Sequence, residues 1–372
     1  MKVDLVDLGR RLLPRSVRYF VQRHVSLTAY KLRARAADDP YAGVLSSSAN
    51  QAASPYRFGI VRNSSCYHSY WVGACLEESV PFVVLDLKQE GWLEAVRNAE
   101  CDALLFWPDG FLTIWADMLK ERVELLHREL RLPVFPTLPE IWLYEDKRRL
   151  AYWLRLKEVP HPPTRVFYDE EEALGYCASC VLPIVFKTSF GASSTGVRIL
   201  RDRASLRRLV KRVFRRGYVP NGVDLRDRQW GSVLLQEFIP DAKEWRVVRI
   251  GDSFLCRLKE RRGDFHSGSG LVGWARPRPE VLEFAERVTD LGRFRSMGVD
   301  ILEDADGRLF VNELQTVFGG IRESNLDRGA EYRGRWFRDA EAGPWRFEAG
   351  DFYRNACANE RLRYLLRKGI PA

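Results

Sequence analysis

Short apolar runs alternate with longer stretches in which apolar residues recur every three or four positions. The runs Tyr56–Arg62, Pro81–Asp86, Ala103–Trp107 and Leu132–Pro136 read as strands. Between them, 68–79, 91–99 and 111–130 carry helical periodicity. Strands alternating with helices at this spacing predict a small parallel sheet with right-handed crossovers. Such sheets take ligands at the carboxyl ends of their strands. No G-x-G-x-x-G follows the first strand, so dinucleotide binding is disfavoured.

Beyond residue 140 the pattern changes. Residues 145–158 read as a helix, and 164–235 as strand, helix, strand, helix and strand. Ser232–Pro240 then leads into a strand-rich region. There Trp245–Ile250 and Phe254–Leu258 flank Gly251-Asp252, a hairpin turn. A helix is expected over 279–297, then a hairpin of Val299–Leu302 and Arg308–Leu314 around Asp304–Gly307. The final helix is placed at 352–368. The expected organisation is a basic helical extension and linker (1–55), an N-terminal α/β unit (56–142), a central unit (143–235), a C-terminal unit (236–325) and an Arg- and aromatic-rich tail (326–372).

Composition narrows the class. At 372 residues, 46% hydrophobic and 29% charged, the chain reads as globular, with several structural units. It contains no apolar run long enough to span a bilayer. Seven scattered cysteines suit a reducing, cytoplasmic setting better than a disulfide framework. Cys177-x-x-Cys180 stands without a second pair, so packed thiols are expected there rather than zinc. The net charge of +9 is uneven, with nine Lys/Arg among residues 1–37 against Asp4 and Asp7. A basic amphipathic helix of this kind suits an anionic membrane surface (peripherally) or an acidic partner. The plainer readings are a solvated helix or a subunit contact. Nucleic acid is disfavoured, because no base-stacking pattern is interleaved with the charge.

Three constellations carry chemistry. In the first, the apolar strand Val181–Phe186 delivers Lys187 into a loop of small residues, Gly191, Ser193, Ser194 and Gly196 among them. Lysine supplies a point charge, and small residues let backbone N–H groups approach phosphate oxygens. Lys147 offers a second cation, Gln236, Glu237, Phe238 and Ile239 a strand edge to read adenine, and Glu244 a carboxylate for ribose. In the second, the 299–314 hairpin brings Asp300 opposite Glu313, and alternation puts Gln315 on the same face as Glu313. Such oxygen donors suit Mg²⁺, which takes one or two carboxylates plus nucleotide phosphates. The third is cationic: Arg246, Arg249, Arg257, Lys259, Arg261 and Arg262, followed by a Gly/Ser loop at 263–270. Each residue alone has an ordinary structural reading as a solvated charge or loop hydrogen-bonder.

The order of these parts resembles the ATP-grasp superfamily, in particular carboxylate–amine ligases of the ribosomal-protein glutamate ligase type. The matching pieces are Asp146-Lys147, VFKTSFGASSTGV at 185–197, LLQEFIPDAKEWRVVRIGD at 234–252, GDFHSGSG at 263–270 and GVDILEDADGRLFVNELQ at 298–315. The resemblance implies an ATP-grasp fold of mixed α/β and α+β class: a small parallel N-terminal domain, a central lid and a C-terminal antiparallel sheet. It implies ATP and Mg²⁺, with Lys147 and Lys187 on the phosphates, Glu237 to Ile239 on adenine and Glu244 on ribose. It also implies Arg257, with Arg261 next, as the cation at the acyl phosphate, and Asp300, Glu313 and Gln315 at the metal. Relatives commonly carry Glu-x-Asn followed by Pro-Gly. Here the run is Glu313-Leu314-Gln315, and Asn312 offers another register. The implied activity is ADP-forming ligation of an amino acid, peptide or sugar-acid carboxylate to an amine, in an enzyme type where homodimers are common. A small-molecule kinase and a non-catalytic nucleotide-binding module are the alternatives.

Overall fold

The computed structural model describes residues 27–47, 54–110, 112–191, 195–220, 223–260, 272–318, 329–339 and 343–370, with isolated positions nearer the N-terminus. Most of the basic 1–37 segment therefore lies outside the described residues; its end forms helix α1 (Leu27–Ala37).

Among the described residues the chain builds three sheets. The first contains β1 (Ser46–Ser47), β2 (Phe58–Val61), β3 (Phe82–Leu85), β4 (Ala103–Leu105) and β5 (Val134–Phe135), in the order β1-β3-β2-β4-β5. β2 to β5 pair in parallel, as the alternation of strands and helices predicted. The short β1, unanticipated, adds an antiparallel edge to β3. Helices α2 (Ser69–Glu77), α3 (Trp92–Asn98) and α4 (Thr113–Leu130) follow successive strands. All four residues of β2 are buried, as expected of a strand covered on both faces.

Two short helices carry the chain onward. α5 (Leu138–Leu143) was not anticipated; it starts with a capping box in which Thr137 and Glu140 satisfy each other's end of the turn. α6 (Lys147–Leu156) begins at Asp146, whose carboxylate caps the N–H groups of Arg148 and Arg149.

The second sheet has the order β6-β9-β7-β8, formed by β6 (Thr164–Phe167), β7 (Ile184–Lys187), β8 (Val197–Leu200) and β9 (Val233–Glu237). Helices α7 (Glu170–Ser179) and α8 (Arg203–Arg216) supply its apolar core with Ala173, Cys177, Leu206, Leu209, Val210 and Val213. Cys177 and Cys180 are packed free thiols in this core. The sequence pattern missed β8, because Val197–Leu200 is a short edge strand with one fully buried residue.

The third sheet is antiparallel, ordered β14-β13-β10-β11-β15-β16 with β12 on β11. Its strands are β10 (Lys243–Ile250), β11 (Ser253–Lys259), β12 (Val272–Trp274), β13 (Ser296–Glu303), β14 (Leu309–Gln315), β15 (Gly334–Phe337) and β16 (Arg346–Ala349). Helix α9 (Pro279–Leu291) ends short of the expected 297, and Ser296 and Met297 belong to β13 instead. Phe294 packs into the same core just after the helix. The tail is not peripheral. β15 pairs with β11, and the last helix, α10 (Ala358–Lys368), packs its Leu362 and Leu365 into the core of the first sheet.

The third sheet segregates by face. Val247, Cys256, Val299, Ile301, Val311 and Leu314 point into an apolar core shared with α6 and α9. By the two-residue period the opposite face receives Glu244, Arg246, Arg257, Lys259, Asp300 and Glu313. That charged face turns toward the second sheet, where Lys187 meets Asn312.

Candidate active site

Lys187 ends β7, a strand held between β8 and β9. Its ammonium donates to the side-chain oxygen of Asn312 at 2.9 Å. Burial pushes its pKa down to about 8; Glu313 opposes this fall and Lys147 adds to it. A lysine held this way is poised to gain an anionic partner.

Lys147 comes from a separate part of the chain, the first turn of α6. Its Nζ donates to the carbonyl of Gly191 at 2.6 Å and lies 3.8 Å from Glu313 Oε1. The turn before it also fastens the lysine loop, since Lys147 N–H donates to Ser189 O at 3.0 Å and Glu145 accepts from Gly191 N–H at 3.3 Å. Burial raises the pKa of Glu145, with Lys147 pulling it back.

The loop has two positions that only glycine suits. Gly191 has φ +125°, a conformation strained for any L side chain. At Gly196 a β-carbon would lie 1.7 Å from Thr188 Oγ1, which itself donates to Phe190 O. Ser193 and Ser194 lie outside the described residues.

The acidic side differs from the expectation. Asp300 does pair with Glu313 across β13 and β14, but the register shifts beside it. Asn312 is the extra residue of that bulge. With Val311 and Leu314 both in the core, Asn312 and Glu313 share the face that meets the lysines. Gln315, opposite Gly298, falls on the same face by alternation. Asp300 is committed elsewhere. Both its oxygens accept from Arg246 at 2.7 Å, and Lys259 binds it as well. Burial would raise its pKa, yet Arg246 and Lys259 hold it well below the carboxylate range.

Glu244 is also committed, buried against Lys259. Glu237 is only half-buried at the end of β9, but its N–H donates to Pro163 O. Phe238 and Ile239 follow the strand end, and Gln236 donates to Thr164 Oγ1 at 2.9 Å.

Arg257 lies opposite Arg246 across β10 and β11, its guanidinium 4.4 Å from the Tyr353 ring centroid. Its Nε is buried without a hydrogen-bond acceptor. Burial, and then Arg246, lower it to about 9. Arg261 and the 263–270 loop lie outside the described residues. Sequence reasoning had placed Arg246 and Lys259 in the cationic group but missed their grip on Asp300. The signal was the shared strand face, readable only once the register of three strands is known.

Toward a magnesium ion the lysine-facing side offers Glu313, while the Asp300 oxygens are held by Arg246 and Lys259. Among the described residues no three Asp, Glu, His or Cys side chains gather as ligands. Glu313 and the amide oxygens of Asn312 and Gln315 are what this face offers beside the two lysines. That suffices for an ion whose remaining ligands are phosphate and water.

Two lysines beside a glycine loop of one antiparallel sheet thus face the bulged edge strand of another. Residues 144–328 match the family model described as a RimK-like ATP-grasp domain. These residues form a RimK-like ATP-grasp domain within the chain. Two solved structures share the fold. D-alanine–D-alanine ligase from Bacillus anthracis, complexed with ATP, superposes with a TM-score of 0.52 at 16% identity, covering 71% of this chain and 87% of that one. N5-carboxyaminoimidazole ribonucleotide synthetase from Thermotoga maritima gives 0.51 at 16% identity, covering 71% and 69%. A RimK domain ATP-grasp protein from Sphaerobacter thermophilus gives 0.48 at 20% identity, covering 69% and 90%. Among curated proteins, none matches the chain in sequence.

Proposed function

We propose that the protein is an ATP-dependent carboxylate–amine ligase that works through an acyl phosphate. The observation that carries this reading is the convergence of Lys147 and Lys187, from different segments, on Asn312 and Glu313. Two ammonium groups and a loop of small residues suit a triphosphate. Glu313, with the amide oxygen of Asn312 or Gln315, would hold Mg²⁺, which when bound neutralises phosphate charge.

In the reaction, an oxygen of the substrate carboxylate attacks the γ-phosphorus of ATP. The bond to the β-phosphate oxygen breaks, leaving ADP and an acyl phosphate. The amine then attacks the acyl carbon, phosphate leaves, and the amine's proton passes to solvent or phosphate. In this reading Lys187 and Arg257 would oppose the developing negative charge, and a desolvated guanidinium does this better than one in water. Arg246 and Lys259 position the sheet through Asp300. The chemistry is positioning and electrostatics, so no Ser or Cys nucleophile is needed. The buried cysteines agree: burial raises the thiol pKa of Cys256, which makes it a poor nucleophile.

The test is co-substrate dependence. Purified protein is given MgATP with pools of carboxylates and amines, and ADP and free phosphate are followed. The ligase reading expects both only when both pools are present. ADP with a phosphorylated alcohol and no free phosphate would replace it with a kinase.

A further inference from the structure

The lysine loop opens on its outer side into a cleft of about 2350 Å³ between α4, α5 and α8. Thr188, Ser189, Gly191 and Glu145 belong to its lining, so cleft and candidate active site share a wall. Pockets for small molecules run to roughly 300–1,000 Å³. This space suits a polymer.

Its chemistry is lopsided. Along α8 the cleft is lined by Arg208, Lys211, Arg212, Arg215 and Arg216. These follow helical spacing, so one face of the helix is a row of cations. Of them, Arg215 is paired with Glu170. The facing α4 is mixed, with Asp117, Glu121 and Glu124 beside Lys120 and Arg128, and Arg128 is paired with Glu124, so the concentration of positive charge lies on α8. Two large aromatic side chains also line the cleft and stay exposed, Trp142 at 44% and Trp230 at 57%. Each has a guanidinium nearby, Arg149 at 5.4 Å from the Trp142 ring centroid and Arg228 at 5.9 Å from that of Trp230.

We propose that this cleft is the track for an acidic polysaccharide, a chain of linked uronic acids whose carboxylate is led to the lysine loop. Guanidinium groups take carboxylates in bidentate fashion. Indole faces pack on the apolar faces of sugar rings, which an acidic peptide lacks. A nucleic acid would meet the charge and the indoles but brings no carboxylate to activate. The choice of a carboxylate polymer rests on the ligase reading; affinity for it needs no turnover.

The test measures binding of fluorescently labelled oligogalacturonate to the full chain by anisotropy, without ATP. Polyglutamate and single-stranded RNA of matched length are the comparison probes. The expected result is preferential, salt-sensitive binding of oligogalacturonate. It should weaken by about tenfold or more in Arg208→Ala/Lys211→Ala/Arg212→Ala. All three residues are exposed, and retained melting temperature checks the fold. Trp230→Ala should weaken oligogalacturonate binding while leaving polyglutamate binding unchanged. Equal or tighter binding of polyglutamate or RNA, or wild-type affinity in the triple variant, overturns the proposal. Tight oligogalacturonate binding with no ADP in the turnover assay supports the track and sinks the ligase reading instead.

Discussion

The Lys187 ammonium donates to the Asn312 side-chain oxygen at 2.9 Å, across 125 positions of sequence. The contact ties the second sheet to the third with a cation that burial disfavours. A charge kept at such a cost is suited to a ligand that rewards it, such as a phosphate.

Lys187→Met is expected to abolish ATP binding while raising the melting temperature of the ligand-free protein. Removing a desolvated charge relieves the folded state. Calorimetric titration with MgATP and a thermal melt check the two halves. A melting temperature that falls would assign Lys187 to the framework.

The pH dependence follows with a definite sign. The folded pKa of Lys187, about 8, lies below its ordinary value of 10.5. Between these values the unfolded chain holds the proton and the folded one does not, so this residue's contribution to stability rises with pH across that window. Below about 8 its burial penalty is constant. ATP affinity moves the other way, weakening as pH rises above 8 and the ammonium is lost. Lys187→Arg should flatten the profile above pH 8, because guanidinium stays charged there.

Asp300 and Glu313 should separate. Asp300→Asn leaves Arg246 and Lys259 short of their buried partner and is expected to cost about 3–5 kcal/mol of stability. Glu313→Gln should keep the fold, since its closest cation, Lys147, is 3.8 Å away, and lose about 10²-fold or more in turnover. Urea unfolding beside steady-state rates distinguishes the two. Equal stability loss in both would contradict the split.

Gly196→Ala should raise the KM for ATP, because the new methyl collides with Thr188 Oγ1 and the loop must move. Thr188→Ala in the same chain should restore part of the affinity. An unchanged KM would show that the loop does not bear on ATP.

Much of this arrangement was legible before the structure. Alternation along 299–314 placed Asp300 against Glu313, and the register agrees. The parallel order of β2 to β5 followed from strand and helix spacing. The bulge at Asn312 was not readable, because an inserted strand residue leaves no periodic mark once its neighbours suit both registers. The grip of Arg246 and Lys259 on Asp300 needed three strands in register, which is information beyond local pattern. Ser296 and Met297 read as the end of a helix because apolar Phe294 and Met297 extend the helical stripe of α9. The β15–β16 hairpin was hidden by arginine-rich composition, since its outward residues are long cations covering aromatic faces, as Arg335 does over Phe352.

The central claim is transfer of phosphate to a carboxylate oxygen, and isotope transfer tests it most directly. A carboxylate pool labelled with ¹⁸O is incubated with MgATP, an amine pool and the protein, and the released phosphate is weighed by mass spectrometry. The account predicts one ¹⁸O in each phosphate released with amide formation. Amide formed with unlabelled phosphate would contradict it.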